Sequence, residues 1–369
     1  MLLLIPAVSS AAGRTGLERI ELLHADTLRS RGASRQLIGH VKVRRGATLI
    51  TADRALYNTR SGEVTLTGNV KLNEPERKVT AERMVYNEFS GNFEASRNVD
   101  MYYGDSLRIR SRLARYDETA GTIDLFGNLI IDNLSDGARI TGNHGRWNQL
   151  EDNGVIDQSP VYRLPDEKGD PPDTLVIVSR YLQFDRAAGS ALFTGSVKLT
   201  QSEIRAESDS LHHLPDSSLT VLSGNPVIWR GEDELTGRVI RLYYEERSLK
   251  RVVAEGDASV LSGTVPDDPR RNHLTGDRLT MTTIDDSTRV ILVEGDAQGE
   301  YHVWDERDVY QGVNLSAADA IELTIVSERV TSIVLEGRSN GVFYPPGQIP
   351  EGVDAGRLNV PVAGARRTS

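Results

Sequence analysis

A short motif of the form G-N-V returns along this chain at regular intervals. The stretch "LTGNVKL" at 66–72 has near copies in "LIGHVKV" at 37–43, "FTGSVKL" at 193–199 and "LSGNPVI" at 222–228. Ten copies begin, at first intervals of 29, 29, 30 and 30 residues, at Gly39, Gly68, Arg97, Gly127, Asp157, Gly195, Gly224, Gly256, Gly295 and Gly337. Self-similarity at a period of 20–50 residues is the signature of a repeat fold, so the sequence predicts about ten repeats of ~30 residues.

A second motif keeps a fixed phase with the first. It reads small residue, acid, any residue, apolar, any residue, then an aromatic or large apolar residue, as in "ADRALY" at 52–57 and "AERMVY" at 81–86. The acid of this motif recurs as Asp26, Asp53, Glu82, Glu207, Asp277 and Asp319. A catalytic residue needs to occur only once, whereas these acids recur with the repeat. We therefore interpret them as structural residues at a corner or a rim.

Each repeat has the pattern of two β-strands. Around Gly68, Val70 and Leu72 alternate with Asn69 and Lys71, a period of two, and turn sequences such as "NTRSGE" separate the alternating segments. A glycine inside a strand usually marks a bulge or a bend, so we expect each long strand to bend there and to join two facing sheets. The predicted fold class is all-β: an extended antiparallel open β-jelly roll with two facing sheets built from about ten repeats.

The alternation assigns one apolar face of every strand to the interior. Leu28 is the first inward residue of the series. The residues predicted to line the interior are Ala55, Tyr57, Val70, Leu72, Met84, Tyr86, Val99, Tyr116, Leu129, Trp147, Leu182, Phe184, Val197, Leu199, Ile240, Leu242, Leu279 and Met281. Two sheets ~10 Å apart could be filled by such side chains as a packed core. Alternatively, the sheets splay open and the same residues line a groove for acyl chains. The periodicity does not separate these two readings.

The composition and the ends of the chain indicate an exported protein. Lysine and arginine total 43 against 53 acidic residues, a formal charge of −10, which disfavours nucleic acid as a partner. The stretch "MLLLIPAVSSAA" is apolar and then small, so we expect residues 1–13 to be the remnant of a secretory signal and the mature chain to be exported. We predict one block of repeats at 17–162 and a further block, continuous with it, at 175–344. The tail at 345–369 is predicted to be flexible.

The sequence gives no indication of catalysis or of metal binding. None of the seven histidines has a partner at metal-site spacing, and there is neither a G-x-S-x-G elbow nor a Walker A loop. A carbohydrate-active repeat enzyme would need nearby carboxylates on one repeat, whereas the acids here are spread evenly. We therefore predict no catalytic residue, no metal and no cofactor.

The coupled motifs resemble those of the OstA-like (LptA) family. The resemblance is carried by "TADRALYNTRSGEVTLTGNVKL" at 51–72 and "TAERMVYNEFSGNFEASRNVDM" at 80–101, where A-[DE]-x-x-x-Y is followed by a turn and then G-N-V. The family includes the periplasmic bridge protein LptA, its membrane-anchored neighbour LptC and the N-terminal domain of LptD. The resemblance extends over about residues 17–344 and is clearest at 51–148.

The resemblance implies a periplasmic location and a function in lipopolysaccharide transport. It implies a groove that carries lipopolysaccharide by its lipid A acyl chains towards the outer membrane, without altering the lipid. It also implies joining through edge strands to LptC-like inner-membrane and LptD-like outer-membrane partners, or head-to-tail self-association. Ten repeats exceed what we expect of one bridge domain, so one long chain would replace several shorter modules. A structural or adhesive rod with a dry core and no lipid cargo remains the alternative.

Overall fold

The computed structural model describes residues 20–166, 173–185, 187–214, 217–245, 248–263, 268–285, 287–305, 307–327 and 329–349. The predicted signal remnant at 1–13, residues 167–172 between the two predicted repeat blocks, and residues 350–369 of the predicted tail lie outside the described residues. No helix in the described part of the chain has the length and apolar character needed to cross a membrane. The chain divides into two compact units, residues 1–195 and residues 196–369.

Unit 1 consists of antiparallel strands, most of them hydrogen-bonded to the next strand in the chain. They are β1 (Glu21–His24), β2 (Thr27–Arg31), β3 (Ser34–Arg45), β4 (Thr48–Asn58), β5 (Glu63–Asn73), β6 (Arg77–Asn87), β7 (Phe93–Tyr103), β8 (Leu107–Asp117), β9 (Thr122–Asn133), β10 (Arg139–Asn148), β11 (Asn153–Ile156), β12 (Val161–Asp166), β13 (Asp173–Val178) and β14 (Tyr181–Asp185), followed by β15 (Ser190–Gln201), which continues past the unit boundary.

Unit 2 has the same antiparallel pairing with longer strands towards its end. They are β16 (Ile204–Leu214), β17 (Leu219–Ser223), β18 (Val227–Arg230), β19 (Asp233–Thr236), β20 (Val239–Glu245), β21 (Ser248–Gly263), β22 (Arg271–Thr283), β23 (Thr288–Trp304), β24 (Tyr310–Val326), β25 (Arg329–Glu336) and β26 (Asn340–Tyr344).

Some long strands are interrupted in the middle and so count as two short ones. The strands β1 and β2 both pair with β3, for example, and β25 and β26 both pair with β24. The other such pairs are β11 with β12, β13 with β14, β17 with β18 and β19 with β20. With these six pairs joined, the 26 strands of the described residues are twenty long strands, which is two for each of the ten predicted repeats.

The repeated glycine forms the corner at which each long strand changes direction. Gly68 has φ +76° and Asn69 has φ +45°, so two consecutive residues lie in the left-handed region that glycine and asparagine tolerate best. The register shifts here, because Gly68 and Asn69 together face the single residue Asp53 of β4. This two-against-one arrangement is a β-bulge, which bends a strand and increases its twist. The predicted bend is therefore confirmed.

The corners divide unit 1 into two layers that face each other. Layer A contains the half-strands 34–38, 54–58, 63–67, 83–87, 93–96, 113–117, 122–126 and 144–148, with β11, β14 and the first part of β15. Layer B contains 41–45, 48–52, 70–73, 77–81, 99–103, 107–111, 129–132 and 139–142, with β12 and β13.

Side-chain contacts across the interior show that the layers face each other. Tyr103 of layer B lies on β7 and Trp147 of layer A lies on β10, yet their ring centroids are 5.2 Å apart. Three strands of a flat sheet would separate them by ~14 Å, so this contact requires the sheet to fold over at the corners. Tyr162 of β12 and Phe193 of β15 make a similar contact at 6.1 Å. The predicted all-β, antiparallel, two-layered fold is confirmed.

Three details of the sequence interpretation are wrong. Leu28 is 55 % exposed, because β2 pairs with a strand on one side only. The corner acid of the copy at 206–211 is Asp209, which lies against Gly224, whereas Glu207 is bonded to Lys198. In the copy placed at Asp157, the positive φ occurs at Ser159. In each case the pairing with the neighbouring strand sets the position, and this pairing is not visible in one repeat.

Candidate functional site

All eighteen residues predicted to line the interior lie on the inward face of their strands. Thirteen are buried: Ala55, Val70, Leu72, Met84, Tyr86, Val99, Leu129, Trp147, Leu182, Val197, Ile240, Leu242 and Leu279. Five are half-buried: Tyr57, Tyr116, Phe184, Leu199 and Met281. The structure therefore collects the repeated apolar positions of each unit into a continuous inner surface, as the period of two requires.

The interior of unit 1 is closely packed. Met84, Leu66 and Ile123 have no measurable exposure, and Val70 of the opposite layer has none either. The packing leaves an apolar cavity of about 20 Å³, lined among others by Leu129, Trp147 and Phe184. A cavity of that size holds about one water molecule. In this conformation the inner surface of unit 1 is a packed core, and an acyl chain would enter only if the two layers moved apart.

Two arginines give the interior of unit 1 a polar border at the turns that end layer B. Arg77 pairs with Glu74 at 2.8 Å, and its guanidinium lies 4.5 Å from the ring centroid of Tyr116. Burial by itself would lower the pKa of Arg77, but the neighbouring Tyr103 and Glu74 raise it above its usual value, so this arginine stays charged. Such a stacked, paired arginine is stable where a lysine would more readily lose its proton.

Arg45 occupies the equivalent place between β3 and β4. Its Nη1 donates a hydrogen bond to the hydroxyl of Tyr86, and its guanidinium lies 5.8 Å from the centroid of that ring. The Nε of Arg45 is buried and has no hydrogen-bond partner within the described residues. The inner surface is thus amphipathic. Its apolar rungs, as we call the inward side chains of each strand, are bounded by charged and phenolic groups.

The repeated acids serve the corners. The Oδ2 of Asp53 accepts a hydrogen bond of 3.0 Å from Asn69, and a Cβ added to Gly68 would lie 2.3 Å from the same oxygen. The carboxylate therefore covers the glycine and holds the side chain that follows it. Asp319 does the same at Gly337, where it accepts hydrogen bonds from the backbone and the guanidinium of Arg338, which lower the pKa of Asp319. These acids are spread along the corners of each unit, as expected of structural residues.

No group of three or more histidine or acidic residues with metal-binding geometry occurs in the part of the chain that the structure describes. The shortest histidine–acid contact there joins His144 to Asp157 at 2.7 Å, with Asp124 3.9 Å from the same ring. Asp26 lies 2.9 Å from His40 and 3.2 Å from His24, and Glu300 lies 3.0 Å from His302. The His144–Asp157 contact lies on the outer face of layer A. It links β10 to the segment between β11 and β12.

Comparison with known proteins shows a family similarity in the first part of the chain. The family described as "LptA/(LptD N-terminal domain) LPS transport protein" matches residues 23–151. The match covers about a third of the chain, and these residues are similar to that family. The resemblance of the repeated motifs is thereby confirmed. The matched segment lies within unit 1 and contains the corners at Gly39, Gly68, Arg97 and Gly127.

Solved structures give a further similarity. One similar chain is LptH from Pseudomonas aeruginosa, described as the LptA homologous periplasmic component of the conserved lipopolysaccharide transport device. The identity is 18 %, the match covers 38 % of this chain and 95 % of that chain, and the TM-score is 0.31. Among the curated proteins, none matches this chain significantly.

Sequence reasoning missed part of the inner surface. Phe93, Tyr103, Tyr162 and Phe193 are buried inward, and the two border arginines also point into the interior. The signal for the aromatic residues was present, because they share the inward parity of their strands. No such signal exists for the arginines, since a charged residue at the end of an alternating strand normally faces water.

Proposed function

We propose that this chain is a periplasmic lipopolysaccharide-binding bridge protein that carries lipid A acyl chains between its two layers towards the outer membrane. The match of residues 23–151 to a lipopolysaccharide transport family carries the proposal. The inner surface supports it chemically, because its apolar rungs suit acyl chains. The charged border at Arg45 and Arg77 suits the phosphates of an amphiphile. The protein would move the lipid without altering it.

Loading would require the layers of unit 1 to part. The half-buried Tyr57 and Tyr116 lie on the last inward rungs of layer A, where the interior meets the turns. Separation would begin at such rungs, because fewer contacts hold them than hold the buried rungs near the corners. The corners would act as the fixed hinge, since those at Gly68 and Arg97 are each tied by a carboxylate to the neighbouring strand.

Edge strands at the two ends of the repeat series support the proposed partners. In unit 1, β1 and β2 pair with β3 alone among the described residues, and both strands are exposed, with Leu22 and Leu23 in β1. In the described part of unit 2, β25 and β26 pair with β24 alone, and Val342 and Phe343 are exposed. Unpaired edges accept an added strand. We propose that they join LptC-like and LptD-like partners or a second copy of the chain.

Photo-crosslinking to purified lipopolysaccharide tests the cargo. A photoreactive residue at Leu182, which faces inward, should capture the lipid, and one at the adjacent Gln183, which faces outward, should not. Tyr116 and the outward-facing Arg115 form a second matched pair on β8. Equal capture at the inward and outward positions, or capture at neither, would count against an interior path.

The closed interior favours a second candidate function, a structural or adhesive repeat rod with a dry core. The cavity of about 20 Å³ is the specific observation on its side. A rod of this kind would crosslink only to itself at Leu182. An organic extract of the purified rod, measured by mass spectrometry, would also contain no stoichiometric lipid. Recovery of lipid A in that extract would exclude the dry rod.

A further inference from the structure

The outer face of layer B in unit 1 is basic, although the chain as a whole has a formal charge of −10. Two cross-strand rows form this face. The first row connects Lys42, Thr51, Lys71, Thr80, Asp100 and Arg110 through successive register partners. The second connects Arg44, Leu49, Asn73, Lys78, Tyr102 and Arg108. Beyond β8 the rows continue to Arg139 on β10 and Arg163 on β12. Eight cations therefore face outward from β3 to β12.

The acids on these rows are few and already paired. Asp100 accepts two hydrogen bonds from Arg108, and Asp132 binds both Arg110 and Arg139 at 2.7 and 2.5 Å. The one further acid is Glu21, at the β1 edge beside Arg44. Because two acids pair with three arginines, this group keeps a net positive charge. The other cations of the face increase that charge.

Five of the eight cations are exposed and have no ion-pair partner within the described residues. They are Lys42, Arg44, Lys71, Lys78 and Arg163. Exposed cations without fixed partners suit the binding of an extended charged surface, whereas a single small ligand would need a fixed pocket. The face spans nine strands, which at ~4.8 Å per strand is roughly 40 Å.

Apolar and aromatic side chains lie between the cations on the same rows. Leu49, Ile130 and Val161 are half-buried there, and Tyr102 lies under the guanidinium of Arg108 at 5.3 Å. Basic residues interspersed with tyrosine and aliphatic side chains are typical of surfaces that rest on lipid headgroups.

The outer face of layer A, in the same unit, differs. Its outward rows carry nearly as many acids as arginines. Arg115 pairs with Glu94 at 2.9 Å and Arg146 with Asp124 at 2.6 Å. The arginines at positions 29, 31, 54 and 83 share the face with three further acids, Glu63, Asp117 and Asp185. The two outer faces of unit 1 are therefore electrostatically distinct. Arginine occurs on the strands of both layers, so its presence alone does not explain the difference in charge between the two faces.

From this asymmetry we propose that the outer face of layer B binds an anionic membrane surface through the phosphate groups of its lipids. Each lysine or arginine near such a surface adds to the attraction, and the sum over several residues gives reversible, salt-sensitive binding. The charge complementarity is independent of the interior, so this inference does not rest on the proposed cargo. It adds a lateral contact with a bilayer to any joining of the chain through its edge strands.

Vesicle flotation with the full chain tests the proposal. Vesicles of phosphatidylcholine mixed with phosphatidylglycerol should carry the protein, and vesicles of phosphatidylcholine alone should not. Binding should fall by at least about tenfold between about 0.05 M and 0.5 M salt, because the Debye length shortens. The variant that combines Lys42→Gln, Arg44→Gln, Lys71→Gln and Lys78→Gln should reduce binding to anionic vesicles by at least about tenfold.

A matched variant on the other face keeps the proposal falsifiable. Arg29→Gln, Arg31→Gln, Arg54→Gln and Arg83→Gln remove the same number of charges from the outer face of layer A, and we expect less than about a twofold loss. Equal loss in both variants would attribute binding to net charge and overturn the proposal. So would equal binding to neutral vesicles, or a chain that binds soluble polyphosphate but no vesicle. Unchanged thermal unfolding of both variants establishes that they are folded.

Discussion

The two units of this chain share their corners but differ in what fills the interior. Six aromatic side chains are buried among the described residues of unit 1, namely Tyr86, Phe93, Tyr103, Trp147, Tyr162 and Phe193. In unit 2 no described phenylalanine, tyrosine or tryptophan is buried, and the inward positions hold residues such as Ile240, Leu279 and Val293. The corner is thus common to the repeats, whereas the inward side chains that fill the interior differ from strand to strand.

The corner persists beyond the segment that the family matches. Asp277 lies against Gly295 in unit 2 as Asp53 lies against Gly68 in unit 1, and the two glycines have φ of +78° and +76°. The separation between acid and glycine grows from 15 residues to 18, which lengthens the half-strands between corners. The backbone requirement is therefore conserved within the chain while strand length is free to change. This freedom explains why the later repeats are harder to recognise.

Removal of one ring from unit 1 should have the largest effect. Phe93→Ala would leave a cavity beside Tyr116, whose ring centroid is 5.3 Å away, and should lower the free energy of unfolding of unit 1 by about 3–5 kcal/mol. Val293→Ala in unit 2 removes two methyl groups and should cost about 2 kcal/mol. Hydrogen exchange followed by mass spectrometry measures both units in one sample. Equal costs would mean that the rings of unit 1 are not what distinguishes its packing.

Acid should affect unit 2 through the half-buried His213. Burial lowers the pKa of His213 from 6.5 to about 4. The unfolded chain therefore binds more protons than the folded chain between these values, and the stability contributed by neutral His213 is complete above 6.5 and falls as the pH is lowered. The loss should be about 2 kcal/mol between pH 7 and pH 5.

In unit 1, the pKa of His40 is shifted in the opposite direction. The hydrogen bond from His40 to Asp26 raises the pKa of His40, so its contribution is present below pH 6.5 and is lost as the pH rises through the raised pKa. His213→Gln should flatten the pH dependence of unit 2 and leave that of unit 1 unchanged. A profile of unit 2 that stays as steep in the variant would show that His213 is not the responsible group.

The features that could be predicted from sequence are those set within one repeat. Alternation placed Val70 and Leu72 inside and Asn69 and Lys71 outside, and the glycine located the bend, because both depend on local backbone geometry. The closed interior could not be predicted. Contacts such as Tyr103 with Trp147 join strands three apart, and only the fold determines which rungs meet.

The corner glycines should be equivalent in the two units. Gly68→Ala and Gly295→Ala each force a side chain into the left-handed region and towards a carboxylate oxygen, 2.3 Å away in one case and 2.4 Å in the other. The carboxylate can move, so the backbone conformation dominates, and each substitution should cost about 1–2 kcal/mol. Hydrogen exchange of β5 and β23 provides the comparison. A cost confined to unit 1 would show that the corners of the unmatched repeats are not under the same constraint.

The smallest expected effect is a gain. At the corner of β7, Arg97 has φ +63° where most other copies have glycine. Its guanidinium makes no ion pair within the described residues. Arg97→Gly would relieve about 1–2 kcal/mol of left-handed strain, partly offset by the greater flexibility of glycine in the unfolded chain, so unit 1 should gain about 0.5–1 kcal/mol. Arg97→Ala, which keeps the strain but loses the charge, is the control and should gain nothing. A gain of the same size in both variants would assign the cost to the arginine side chain. A gain in Arg97→Gly alone would assign the cost to the backbone conformation, as the shared corner geometry of both units requires.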